Sequence, residues 1–442
     1  MAIEPDFKPL YLHPHGAANQ AVALHDGPVT ILGVGTDVMQ ATGTLALRWL
    51  PTTGLRLNVE LPSAHIATTG ARMNVEIAGS VAEAVVTSTT LGTEDGVPFA
   101  RVSGIVSKFE KGSGGDLAAL GFQVVNFSDF LTPGPRPAPV FGFPPRVADL
   151  LYGVWRVRLT AVEDSNEIFK SLSETGGYAF THLGQLERSD GSRFNAAEGA
   201  TVLDALGRFL GFARGAPCSL PIRWGVDGAG EVVWEQWTSP VVDPWKVRSG
   251  WFDEHHGNLL SEIYPEFART LADPDLGEPF SLALHWYQQS NTRAGGMEGA
   301  IILGLTALDL LGALVVVDRV GAMTASKYDK LPAARKLSML LEPMKVSASI
   351  PSRYSNLEAF ATENGSADAA VALAEIRHGY VHPNKRRRQV VLSAPNLATF
   401  EAWQLSLWYQ ELALLYLLNH RGEFSSRIVS KWRGEVEKVP WA

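Results

Sequence analysis

The chain has 442 residues, of which 46% are hydrophobic and 19% charged, and its formal net charge is −8. At ~150 residues per domain that length implies two or three domains, and the apolar fraction excludes a disordered chain. The negative charge excludes a global attraction to nucleic acid, so any such binding needs a local basic patch; the single cysteine, Cys218, excludes an intrachain disulfide or a Cys-rich zinc site.

Met1 to Leu10 carries Glu4 and Asp6 and no apolar run, so no signal peptide is expected. Strands come first. Leu55, Leu57, Val59 and Leu61 alternate with Arg56, Asn58 and Glu60, the period of a half-buried strand. Met73, Val75 and Ile77 repeat the pattern, as do Trp155, Val157 and Leu159. Residues 132–146 hold six prolines, which marks a long loop or subdomain junction. An amphipathic helix is expected at Ala196 to Ala213, then a hairpin from Ile222 to Trp237 around Asp227-Gly228-Ala229-Gly230. There Val233, Trp234 and Trp237 read as packing surface rather than as a stacking platform for a ligand.

After about Trp245 the pattern turns helical. Helices are expected over Ser281–Gln289, Met297–Val317, Ala333–Leu341, Ala367–Val381 (with Ser366 as N-cap) and Leu397–Leu418. The apolar run Ile301–Val317 is interrupted by Asp309 and falls short of the ~20 residues of a membrane span, so it reads as a buried helix. These features imply a cytoplasmic protein without membrane contact. The fold class is α+β: a β-rich N-terminal domain over residues 1–245 and an all-α domain over 246–442.

The candidate chemistry lies in Arg377-His378-Gly379-Tyr380-Val381-His382. Pro383 disfavours the α conformation at His382, so the helix should end there. Residues five apart on a helix differ by ~140° and ~7.5 Å of rise, so Arg377 and His382 do not share a face, and two copies across a dimer axis would form a composite site more easily. Just beyond stands Lys385-Arg386-Arg387-Arg388, the densest basic run in the chain, which is read either as a solvated loop or as an RNA-contacting patch. RNA scission by its own 2′-hydroxyl needs a base, an acid and a cation for the phosphorane; histidine supplies the first two and an arginine fork the third, without a metal or other cofactor. The spacing alone recurs by chance.

With its helical setting and the polar residue after the arginine, the segment resembles the HEPN superfamily, helical domains defined by an Arg-polar-x3-His motif; the likeness covers about residues 250–442. It implies a dimer-dependent, metal-independent ribonuclease of the toxin, CRISPR-associated or anti-phage kind. By position, Arg377 would face phosphate, His378 would be the supporting polar residue, where many members have asparagine, and His382 would be the catalytic histidine. Glu298 and Asp309 are both open as the family's acidic residue. A β-rich half before such a domain resembles, more loosely, the ApeA-like abortive-infection proteins, through Ala179-Phe180-Thr181-His182 and Phe209-Leu210-Gly211-Phe212-Ala213. That layout implies an N-terminal sensing or regulatory domain responding to a phage-derived or other ligand trigger. Two alternatives stand beside it: a non-catalytic HEPN scaffold that binds RNA or protein, and a ligand receptor whose helical half only dimerises. His255 and His256 read as a polar turn rather than a metal site, His13 and His15 carry no signal, His285 reads as a core histidine, and Cys218 has no activating pattern.

Overall fold

The computed structural model describes residues 16–32, 38–62, 68–94, 97–132, 146–382, 384–392, 396–429, 432 and 434–442. Residues 133–145, most of the proline-rich stretch, lie outside them, as do His13 and His15. The chain divides into a unit of Met1–Asp129, Gly134–Arg208 and Pro217–Val247 and a second of Phe130–Pro133, Phe209–Ala216 and Arg248–Ala442. The first is β-rich and the second helical, so the protein is α+β.

The first unit opens with a closed antiparallel barrel of six strands: β1 (Val22–Leu32), β2 (Val38–Arg48), β3 (Gly54–Pro62), β4 (Arg72–Ile77), β5 (Ser80–Glu94) and β6 (Val97–Val106), in the order β1-β2-β3-β6-β5-β4 with β4 returning to β1. The alternation at Leu55–Leu61 and Met73–Ile77 is the inward–outward pleat of β3 and β4, and the apolar set of each is buried.

A seven-stranded antiparallel sheet follows, built from β7 (Lys108–Gly112), β8 (Ala119–Val125), β9 (Val147–Tyr152), β10 (Trp155–Ala161), β11 (Phe180–Arg188), β12 (Ser219–Val226) and β13 (Val232–Thr238). Its order is β7-β13-β12-β8-β11-β10-β9. Every residue of the central β8 is buried, so that strand has no polar face to alternate with. Trp49, Phe109, Phe180, Trp224 and Trp237 join the barrel's apolar residues in one core, which gives Trp237 the packing role expected of it. Gly121 on β8 is required there: a Cβ would stand 2.1 Å from the Trp224 ring. Helices α1 (Ser165–Thr175) and α2 (Ala196–Arg214) complete the connections. The start of α2 is a reciprocal capping box, in which the Glu198 N–H donates to Asn195 Oδ1 and the Asn195 N–H to Glu198 Oε2, both at 3.0 Å.

The second unit contains α3 (Asn258–Ala272), α4 (Gly277–Asn291), α5 (Gly296–Ala313), α6 (Ala325–Asp329), α7 (Ala333–Leu341), α8 (Ser355–Glu363), α9 (Ala369–Val381), α10 (Lys385–Leu392) and α11 (Asn396–Leu417), with the short pair β14 (Glu423–Phe424) and β15 (Glu437–Lys438). The expected helix at Met297–Val317 is α5 and a π-helical continuation over Leu314–Arg319. Together they have the length and hydropathy of a membrane span, yet 61% of the apolar window is buried within the protein, as suits a core helix. The π segment delivers Arg319 to the end of α11, where its guanidinium donates to the Leu417 carbonyl at 2.8 Å and to Asn419 Oδ1. His285 differs from expectation. The buried stripe of α4 runs through Phe280, Ala283, Leu284, Tyr287 and Gln288, which turns His285 outward to solvent.

A buried polar network centres on Glu411 of α11 and Arg427, with side chains 0% and 1% exposed. Arg427 Nε donates to Glu411 Oε2 at 3.0 Å, and one terminal nitrogen donates to Glu411 Oε1, to the Ser249 carbonyl and to Asn291 Oδ1. The Tyr287 hydroxyl donates to Glu411 Oε1 at 2.7 Å, and Asn291 Nδ2 donates to the Gly215 carbonyl at 2.9 Å.

Two outcomes follow from these interiors. Replacing Arg427 by Met leaves the Glu411 carboxylate buried without its cation and should destabilise the protein by about 3–5 kcal/mol in urea unfolding. His182 on β11 is wholly buried, and burial, with the charge of Arg146 second, lowers its pKa from the ordinary histidine value of 6.5 to about 3. The unfolded chain therefore takes up a proton at His182 between pH 6.5 and 3 that the native chain refuses. Stability from this group is constant above pH 6.5 and falls as the pH drops through that window, and His182→Gln should flatten the fall when unfolding is measured at pH 7 and pH 4.5.

Candidate functional site

The helix that carries the motif, α9, begins at Asp368, whose carboxylate accepts the Val371 N–H at 2.9 Å. The cap is therefore not Ser366, the residue expected from the sequence. Aspartate two residues later caps the helix because its oxygen reaches the free N–H of the third helical residue. Ala369, Ala370, Ala372 and Ala374 are buried, and these small side chains let α9 approach its neighbours α5 and α7 closely. The helix ends at Val381, and His382 is extended (φ −98°, ψ 140°), the conformation that a following proline favours.

The motif residues part company at this end. Ala370, Ala374 and Arg377 follow one stripe of α9 and line a small open cleft shared with α5 and α7. Leu308 and Leu337 supply apolar wall, and Asp309 and Lys336 supply charge. Lys336 Nζ lies 3.0 Å from Asp309 Oδ1 and 5.0 Å from the centre of the Tyr328 ring. The Arg377 Nε is buried and has no hydrogen-bond partner among the described residues. His378 and His382 lie one helical turn apart on the adjacent stripe, with ring centres 5.1 Å apart and edge to face. His378 Nδ1 is 4.0 Å from Glu375 Oε1, and the exposed His382 donates its backbone N–H to the His378 carbonyl at 3.0 Å. The structure thus brings His378 and His382 together and directs Arg377 elsewhere, as the ~140° offset requires.

Tyr380 turns towards α11. Burial and then the Glu298 carboxylate raise its phenol above the usual range, against a lowering hydrogen bond with Thr399. Glu298 thus acts on Tyr380 through its charge, whereas Asp309 lines the same cleft as Arg377. Lys336 carries no signal in the sequence, because one lysine on a short amphipathic helix has no spacing pattern.

The basic run forms the first turn of α10, where the Arg386 N–H donates to Asn384 Oδ1 at 3.0 Å. It is a helix rather than a loop. Lys385, Arg386 and Arg388 are exposed, and the Arg387 side chain lies outside the described residues. Cations in a helix's first turn oppose the helix dipole, so helix stability does not account for the cluster. His255 pairs with Asp253 and His256 with the Gly434 carbonyl. Among the described residues no three His, Cys, Asp or Glu side chains converge as a metal site would require.

Residues 112–248 match the YopA central domain and residues 273–438 the YopA C-terminal domain. The chain is similar to the SPbeta prophage-derived uncharacterized protein YopA of Bacillus subtilis (strain 168), with 26% identity over 436 residues that cover 96% of this chain and 95% of that protein. No solved structure matches. The central-domain match spans β8 to β13, and the C-terminal match includes all three motif residues.

Loss of the α9 cap is the local test of how this site is held. Asp368→Ala should cost about 1 kcal/mol, while Asp368→Ser should keep most of it, as read from urea unfolding.

Proposed function

We propose that the helical unit is a HEPN-type endoribonuclease that cleaves RNA through its 2′-hydroxyl, regulated by the β-rich unit as a sensor and acting as an anti-phage or toxin-type effector. The observation that carries this reading is the His378–His382 pair, which stands at the solvent-facing end of α9 immediately before a helix that opens with four cations. His382 takes the proton of the 2′-hydroxyl, and the oxygen then attacks the adjacent phosphorus. The 5′-oxygen leaves with a proton from an imidazole, which yields a 2′,3′-cyclic phosphate and a 5′-hydroxyl. His378, with Glu375 behind it, orients the His382 ring. Arg377 carries the developing phosphorane charge. Since Arg377 and His382 face apart in one chain, the arginine of one copy and the histidine of another complete the site in a homodimer. Lys385, Arg386, Arg387 and Arg388 hold the RNA backbone. The prophage origin of the Bacillus subtilis relative suits a role in conflict between phage and host.

A second reading has its own observation. Arg377 lines the α5–α7–α9 cleft rather than the histidine pair, which favours a HEPN scaffold that binds RNA or protein without cutting. End-mapping of RNA incubated with the purified full-length chain separates the two. Wild type should generate cyclic phosphate ends, His382→Ala should cut at least ~10²-fold more slowly, and 2′-deoxy substitution at the scissile nucleotide should abolish cleavage. A chelator should leave the rate unchanged, because side chains supply acid, base and cation. Undiminished cleavage by His382→Ala would refute the assignment of that residue, and binding without cleavage would establish the scaffold.

A further inference from the structure

We infer that Lys336 is the second cation of the phosphate site centred on Arg377 and that Asp309 holds it in place until a phosphodiester arrives. The inference rests on the reading of Arg377 as the phosphate-facing residue and extends it to two residues on other helices.

Three charged groups line the cleft between α5, α7 and α9: Asp309, Lys336 and Arg377. Two are matched, since Lys336 Nζ lies 3.0 Å from Asp309 Oδ1. The third is not: Arg377 forms no hydrogen bond or ion pair among the described residues, and its Nε is buried. An arginine left without a partner in a half-buried setting loses solvation and gains nothing from the protein. Its fork of donors matches the oxygens of a phosphate. The trio carries a net charge of +1, which one phosphodiester neutralises.

The Lys336–Asp309 pair is built to exchange partners. The Lys336 side chain is 14% exposed, set over the Tyr328 ring, whereas that of Asp309 is 46% exposed. A carboxylate that open to water keeps its hydration when its partner leaves. The lysine, a point charge on a flexible stem, can reorient within the cleft to an incoming oxyanion. Asp309 thus competes with phosphate for Lys336, so its removal and the removal of Lys336 should act in opposite directions.

Binding of a fluorescent 2′-O-methyl RNA oligonucleotide to the full-length chain, titrated by anisotropy across a salt series, tests this. Lys336→Gln should weaken binding roughly tenfold and reduce the slope of log affinity against log salt by about 0.7, the loss of one phosphate contact on a single strand. Lys336→Arg should bind like wild type, and Asp309→Asn should bind severalfold more tightly. Thermal melts identify any variant that fails to fold, and the exposed Asp309 tolerates asparagine without a buried vacancy. Wild-type affinity and slope in Lys336→Gln would overturn the inference. So would weakening by Asp309→Asn, the outcome if the pair only ties α5 to α7, or failure of the wild type to bind. The oligonucleotide lacks the attacking hydroxyl, so the readout is independent of cleavage. Absence of cleavage on ordinary RNA would overturn the ribonuclease reading alone, and equal affinities beside intact cleavage would overturn only the role of Lys336.

Discussion

The helical unit depends on one buried ion pair. Glu411 and Arg427 are removed from water almost completely, and the desolvation of two such charges costs several kcal/mol unless every remaining donor and acceptor is met. Tyr287 and Asn291 of α4, the Ser249 carbonyl and Gln404 of α11 meet them. Segments far apart in sequence are therefore fixed to one another by hydrogen bonds with direction, where apolar contact alone would permit sliding. A hydrophobic core of Leu and Ala faces, such as α11 presents, specifies burial but only weakly specifies register; the charged node supplies the register.

The candidate site inherits that order. α5 packs between α4 and α11 and presents Asp309 to the cleft. The alanine stripe of α9 brings Arg377 against the same helix. On the neighbouring stripe the two histidines stay at the helix end, where the chain leaves the α conformation. One short helix thus offers a cation to a cleft and a pair of imidazoles to solvent, and the two lie on different faces because 3.6 residues per turn cannot align positions five apart.

What was legible in the sequence follows from which elements have one wet face. Leu55–Leu61 and Met73–Ile77 alternate because barrel strands have a dry inside and a wet outside. The strand Ala119–Val125, buried throughout, offers no alternation. The helix Asn258–Ala272 was hidden by Pro265 within it, although the packing of Leu260, Ile263, Tyr264 and Phe267 holds it helical. The end of α9 at Val381 was readable from local sterics at the residue before Pro383. Its start was not, since Ser366 and Asp368 are both competent caps and only the fold chooses between them. At the site, the histidine pair could be found from its spacing, whereas the cleft that Arg377 lines with Asp309 and Lys336 is built from three helices and exists only in three dimensions.

The π-helical segment Leu314–Arg319 has a consequence for how the length of the long apolar helix can vary. Each residue of an α-helix turns the chain by about 100°, and a π turn absorbs one residue more than an α turn. Arg319 reaches the Leu417 carbonyl and Asn419 through that widened turn. Deleting a single residue between 314 and 318 would restore a regular helix and swing the arginine to another side, leaving the end of α11 without its donor. Substitutions that keep the register would be absorbed by the bundle far more readily than that deletion, so the phase of this helix is under tighter constraint than its composition.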